Sequence, residues 1–365
     1  MTVVAADHEA HGATFRELAD RRRVVERYRR PERTATAVRN GVGVVEMGYG
    51  VVAITGEDRH DFVDDAVSNR VPATDGEGCY ALLLDPQGAI TTDMYVYNAG
   101  EQLLVFTPPA RAEPLIEDWS EKVFIQDVEI RNASADFGVF GVHGPTSTEK
   151  VASVLNGAGS PDRQLSFVRG SMGDAGVTVV RTDGLLGEEG YEVICAADGA
   201  EEVFDTLLTR GLNAVPFGYH VYETLALEAG TPLFDTELEG QIPNVAGVRN
   251  ALDFEKGCYV GQEVVSKVEN QGRPSQRLVG LLPGTVPEAG AAVFDGDSAA
   301  GEVTRAVESP TLEGPAAMAY VDFGLDASEV TVRVDGTEVP AEVVELPFHE
   351  GSDRSARIPE YAGGE

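Results

Sequence analysis

Lysine is almost missing from this sequence. Lys122, Lys150, Lys256 and Lys267 are the four that occur among 28 basic residues, and 61 acids bring the net charge to −33. Such a balance excludes a surface that tracks nucleic-acid phosphates. An acidic surface nearly free of lysine is the pattern of proteins adapted to molar salt, where the Debye length shrinks to ~3 Å and self-repulsion is screened. An acidic chain that mimics nucleic acid or binds basic partners would carry its acids in blocks, and here they are dispersed. Cysteine is equally scarce. Cys79, Cys195 and Cys258 are odd in number and form no CxxC pair, which excludes a disulfide framework and a cysteine-only metal site within the chain. No apolar run reaches the length of a membrane span. The polar, acid-bearing start "MTVVAADHEAHGATF" reads as neither a secretory leader nor a transit peptide, so a cytoplasmic protein without membrane or nucleic-acid partners is expected. No GxGxxG follows a strand and no GxxxxGK[ST] occurs, which removes dinucleotide and P-loop chemistry.

With 365 residues the chain exceeds one hydrophobic core. Thr14 to Arg30 has the period of an amphipathic helix, with a Thr14–Glu17 capping box and Pro31 as its stop. Short alternating strands then mix with modest helices, as in "CYALLLD", "DMYVYN" and "GYEVICA", which indicates α+β layers rather than a doubly wound parallel sheet. From Gln276 to Phe348 the texture becomes strands split by Gly, Pro and DG turns, the pattern of a small β-barrel. The expected organisation is a helical segment 1–35, two interleaved α+β subdomains in 36–275, a barrel in 276–348 and a flexible tail in 349–365.

The stretch "FEKGCYVGQEVVSKV", Phe254 to Val268, carries two of the four lysines around one cysteine. Gly257 and Gly261 permit a tight backbone, and a helix begins near Glu263. Cys258 would then sit beside a helix N-terminus and close to Lys256, and both features favour a thiolate. Between Arg249 and Arg277 five bases face four acids, the clearest local exception to the acidic trend. A plain turn with a buried cysteine is the alternative. Cys79 and Cys195 lie in apolar runs and read as small buried hydrophobes. His143 and the other histidines show no metal spacing, so a hydrogen-bonded structural role is expected, and no metal beyond a transient ligand at Cys258.

"KGCYVGQE" (Lys256–Glu263) resembles the K-G-C-Y-x-G-Q-E motif of the YgfZ family, folate-binding proteins associated with iron–sulfur enzyme maturation and relatives of the glycine-cleavage T-protein. "GVFGVHGPTS", "TDGLLGEEGYEV", "ETLALEAGTPLF" and "GEVTRAVESPTLEGPAAMAYV" resemble further T-protein segments, so the similarity spans roughly residues 36 to 345. It implies a three-lobed fold with folate in a central channel. It also implies Glu188, Tyr191 and Glu192 as folate ligands, since a carboxylate matches the two parallel donors of a pterin edge. Thr107 falls where the family has an asparagine. The family's D-D pair becomes Thr92 and Asp93, with its first aspartate, the one assigned to catalysis, on Thr92; two arginines become Tyr222 and Ala226. Arg111, Arg249 or Lys256 would have to replace them at the folate tail.

The resemblance implies a YgfZ-like protein that binds tetrahydrofolate, or a one-carbon derivative, and supports iron–sulfur cluster assembly or repair in client proteins. In that reading Cys258 is the reactive sulfur, Lys256 holds it anionic, and Gly257, Tyr259, Gly261, Gln262 and Glu263 shape the turn. The alternative is an enzyme, an aminomethyltransferase passing a one-carbon unit from a lipoyl carrier protein to tetrahydrofolate, with Asp93 as the catalytic carboxylate.

Overall fold

A computed structural model describes residues 2–18 and 23–362. The chain opens with α1 (Ala5–Ala10) and a hairpin of β1 (Thr14–Glu17) and β2 (Arg23–Arg27). This corrects the expected helix, of which residues 19–22 lie outside the described residues. The alternating charges that suggested a solvated helical face instead cross between strands, where Arg16 meets Glu26 at 3.3 Å and reaches Glu223 at 2.6 Å, while Val24 and Val25 turn inward. Pro31 starts a helix rather than stopping one: α2 runs Pro31–Arg39 with proline in its first turn, where no amide donor is needed.

Two antiparallel-rich sheets follow. After β3 (Gly43–Glu46) come β4 (Gly50–Thr55), α3 (Arg59–Ala66), β5 (Glu77–Leu84), β6 (Ile90–Asn98), β7 (Leu103–Thr107), α4 (Ala112–Ser120) and β8 (Glu129–Asn132). Strands β5-β6-β7-β4-β8 form one sheet in that order. The second is built by β9 (Phe137–His143), α5 (Ser147–Val154), β10 (Phe167–Met172), β11 (Ala175–Arg181), β12 (Gly190–Ala196), α6 (Ala200–Thr209) and β13 (Val215–Pro216), ordered β10-β11-β12-β9-β3-β13. Then α7 (Tyr219–Glu228), one π-helical turn Phe234–Leu238, α8 (Pro243–Ala246) and α9 (Gln262–Gln271) lead to the barrel, closed in the order β14-β17-β16-β15-β18-β19 and spanning Gln276–Pro283 (β14), Ala292–Asp295 (β15), Ser298–Ser309 (β16), Gly314–Asp322 (β17), Glu329–Val334 (β18) and Thr337–Val344 (β19). The fold is the α+β, three-lobed arrangement with a C-terminal barrel. Among the described residues no helix is long and apolar enough to cross a membrane.

The period of two along each strand sorts its side chains between an outer and an inner face. On β6, Met94 and Val96 pack outward with α3 and α4 around Trp119, whereas Tyr95 and Tyr97 join the core between the sheets. On β12, Val193 and Cys195 face outward toward Phe204 of α6, and Ile194 faces inward. The two sheets therefore share one central core, and polar residues on inner-face positions meet there.

Candidate functional site

The motif region is a surface feature. Cys258 is exposed, in a loop that Asp253 starts by accepting the amides of Glu255 and Lys256 at 2.8 and 3.1 Å. Lys256 turns away from it. Its ammonium is buried and donates to the carbonyls of Val67 (2.9 Å), Asn69 (3.0 Å) and Asp64, with the Asp64 carboxylate 3.5 Å away. The last carbonyls of α3 lack helical partners, and a cation there supplies donors and matches the helix dipole. Three protons serve three carbonyls, so the expected Lys256–Cys258 thiolate pair is not formed. The sulfur within reach of the Lys256 charge is that of Cys79, a buried thiol pushed up to about 12 by desolvation. Lys150 does the same work at α6, donating to the carbonyls of Thr206, Arg210 and Leu212.

The remaining motif residues dock the loop onto the first sheet. Tyr259 is buried in the central core. Gly261 adopts φ +81°, and a Cβ there would lie 2.6 Å from the Asp85 carbonyl, so only glycine lets α9 begin against the Asp85–Gly88 turn. Glu263 is exposed, Gln262 half-buried, and the space beside Gly257 is open.

A different set of residues gathers between the sheets. Asp93 sits on the inner face of β6, while its neighbour Thr92 lies on the outer side, lining a cleft with Phe62, Leu115 and Trp119. Alternation along β6 puts Asp93, and not Thr92, on the face of Tyr95 and Tyr97. The Tyr80 hydroxyl donates to Asp93 Oδ2 at 2.9 Å, and Arg357 Nη1 donates to the same oxygen at 3.1 Å. Burial raises the pKa of Asp93, against the pull of Arg357 and the Tyr80 bond. Arg357 Nη2 also donates to Tyr95 Oη, which in turn donates to Asp183 Oδ1 at 2.9 Å. From the opposite sheet, Glu192 accepts the Tyr49 hydroxyl at 2.7 Å and is pushed up to about 7, chiefly by burial. His143, at the inner end of β9, is held neutral by burial, its pKa brought down to about 3. Among the described residues, both its ring nitrogens, Thr182 Oγ1, Asp183 Oδ2 and Arg357 Nε lack a hydrogen-bond partner.

The sequence-predicted ligands divide accordingly. Asp93 and Glu192 both lie in this interior, each within electrostatic reach of Asp183 and Arg357. Glu188 does not join them: Arg39 reaches Oε1 at 3.1 Å and the Ser352 amide reaches Oε2 at 2.9 Å, so both oxygens hold structure together. Tyr191 lies on the outer face beside Thr148, 3.0 Å away. Thr107 is buried and donates to the Gly50 and Pro108 carbonyls, and Arg111 pairs with Glu239 above the Phe234 ring. Arg249 pairs with Glu269. The cation that reaches Asp93 is Arg357, from the segment expected to be a flexible tail. Sequence reasoning missed it, together with Asp183 and the tyrosines; Asp93, Tyr95 and Tyr97 at a spacing of two on one strand were the available signal.

Residues 4–256 match the family model described as GCVT N-terminal domain, and residues 276–350 match that of the glycine cleavage T-protein C-terminal barrel domain. The chain belongs to the glycine-cleavage T-protein family. An aminomethyltransferase of Cutibacterium acnes is 32% identical over 96% of this chain and 98% of its own length. That of Saccharopolyspora erythraea is 32% identical over 94% and 96%. The crystal structure of glycine cleavage system aminomethyltransferase T from Bartonella henselae shares the fold at TM-score 0.85 and 22% identity, covering 99% of this chain and 98% of that one. These relatives overturn the expected YgfZ-like role in iron–sulfur assembly: the T-proteins that align along nearly the whole chain are named aminomethyltransferases.

Proposed function

We propose that this T-protein family member is a folate-dependent aminomethyltransferase, taking a one-carbon unit from the lipoyl arm of a carrier protein and passing it to tetrahydrofolate. The observation that carries the reading is that Asp93 and Glu192, buried carboxylates from facing sheets, share a tyrosine-walled interior with Asp183 and Arg357. Relatives named aminomethyltransferase that align along nearly the whole chain support it.

The residues present fit a reduced pterin. Its N3–H and 2-amino donors suit a carboxylate such as Glu192, and Thr182 Oγ1 and the His143 nitrogens, without hydrogen-bond partners among the described residues, supply further polar capacity in an otherwise apolar interior. Tyr49, Tyr95, Tyr97 and Tyr222 give flat aromatic walls. Asp93 attracts the amino group that departs as an ammonium and orients the acceptor nitrogen, electrostatic work that is strongest where water is excluded. In the transfer the methylene carbon loses its bonds to sulfur and to the amine nitrogen and gains two bonds to folate nitrogens. Of the two protons displaced from those nitrogens, one ends on the lipoyl sulfur and the other on ammonia.

The test is direct. Wild-type chain, aminomethylated carrier and tetrahydrofolate should yield methylenetetrahydrofolate and ammonia in equal amounts, with neither formed when carrier or folate is omitted. Absence of both products from the complete mixture, with the chain folded, rejects the reading.

A further inference from the structure

The segment after the barrel is a strap. The amide of His349 donates to the Glu228 carbonyl (3.0 Å), that of Ala356 to Asp183 (2.9 Å) and that of Glu360 to Gly247 (2.9 Å). The Leu278 amide donates to Tyr361 Oη at 2.7 Å. The surface beneath is shaped to receive it. A Cβ at Gly184 would stand 2.5 Å from the Arg354 carbonyl, and one at Gly247 would stand 2.8 Å from Pro359 Cα. The strap thus belongs to the fold, and it delivers Arg357 to the interior.

We infer that Arg357 is a positioning residue of the transfer reaction, fixing Asp93 by one oxygen and leaving the other to the substrate. The inference rests on the aminomethyltransferase reading. Both hydrogen bonds that Asp93 receives from Tyr80 and Arg357 end on Oδ2, which assigns substrate contact to Oδ1. The guanidinium is held in three ways. It lies 3.7 Å from the Tyr80 ring centre, donates to Tyr95 Oη, and places Nε 3.6 Å from Asp183 Oδ2. A planar fork clamped on a ring and between two carboxylates has little freedom, whereas an ammonium lacks both the flat face that stacks on the ring and the rigid fork that spans the two carboxylates. The charged and titratable groups facing Asp93 are Tyr80, Asp183 and Arg357, with Asp235 from the π-helical turn at longer range. Without Arg357, Asp93 and Asp183 would be like charges in a dry site, and Asp93 would bind its proton up to higher pH.

The experiment compares wild type, Arg357→Gln and Arg357→Lys as full-length chains, with melting curves to establish folding. Arg357→Gln should lower kcat about 10- to 100-fold, as expected for lost orientation, with the acid limb of its pH–rate profile moved upward. Arg357→Lys should restore the acid limb but not the full rate. In an Asp93→Asn background, Arg357→Gln should have no further effect. A folded Arg357→Gln with wild-type kcat and pH profile would overturn the inference while leaving the transferase reading intact; if that variant does not fold, a wild-type rate for Arg357→Lys would overturn it. If wild type itself does not turn over, the carboxyl carbon-13 titration of Asp93 decides the coupling. An upward shift in either Arg357 variant supports it, and an unchanged curve in both defeats it.

Discussion

Lys256 and Arg357 are both buried cations, one spent on backbone carbonyls at the end of a helix and the other on ionisable side chains between two sheets. The contrast teaches where buried charge turns into chemistry. Around Lys256 every donor is matched by a carbonyl of fixed position, so the charge is consumed by the fold. Around Arg357 the partners are carboxylates and phenols whose own protonation is pushed by burial, and several polar atoms have no hydrogen-bond partner among the described residues. An unmatched polar atom in a dry interior is a cost unless something binds there.

Substitutions can break or sharpen this contrast. The largest effect belongs to the centre: Asp93→Asn, which keeps shape and removes charge, should cut methylenetetrahydrofolate formation by on the order of 10³-fold without a comparable loss of thermal stability. Next comes Lys256→Met, which strips three carbonyls of their donor. It should cost about 2–4 kcal/mol in urea unfolding, and Lys150→Met should match it at α6, with turnover of the surviving folded protein unchanged in both.

Glu192 gives a subtler signature. Burial pushes its pKa up to about 7, above the ordinary carboxyl value of 4.5, so the native state holds the extra proton. The stability contributed by that proton is complete below pH 4.5 and is lost as pH rises through 7. Glu192→Gln should therefore flatten the decline in melting temperature between pH 5 and pH 8, and it should weaken tetrahydrofolate binding. The smallest effect is expected at the loop: Cys258→Ala removes an exposed thiol and should change stability by less than about 0.5 kcal/mol.

Much of the fold was legible because strand periodicity and turn residues are local signals. The barrel from Gln276 and the strands in "CYALLLD", "DMYVYN" and "GYEVICA" fall where their patterns place them. The N-terminal hairpin was hidden because Arg16, Glu17 and Glu26 suit either a helical face or a strand ladder, and the choice is made by contacts with Glu223 on α7, far along the chain. The centre was half legible. Asp93 and Glu192 could be named from their motifs, and alternation along β6 puts Asp93 with Tyr95 and Tyr97, but the arrival of Asp183 and Arg357 beside them is decided by contacts between distant segments. Arg357 was illegible, since "RSARIP" has no period or motif, and its place is set by glycines more than a hundred residues away. The KGCYVGQE stretch misled in the opposite direction. Its residue types suggest an activated thiol, yet the lysine serves a helix end and Gly261 a tight packing contact.

The account's central claim is that the interior carboxylate, not the surface sulfur, performs the chemistry. The most direct measurement places Cys258→Ala and Asp93→Asn side by side, under one condition, and follows methylenetetrahydrofolate formed from aminomethylated carrier. The account predicts a wild-type rate for the cysteine variant and near-complete loss for the aspartate variant. Loss with Cys258→Ala and retention with Asp93→Asn would contradict it.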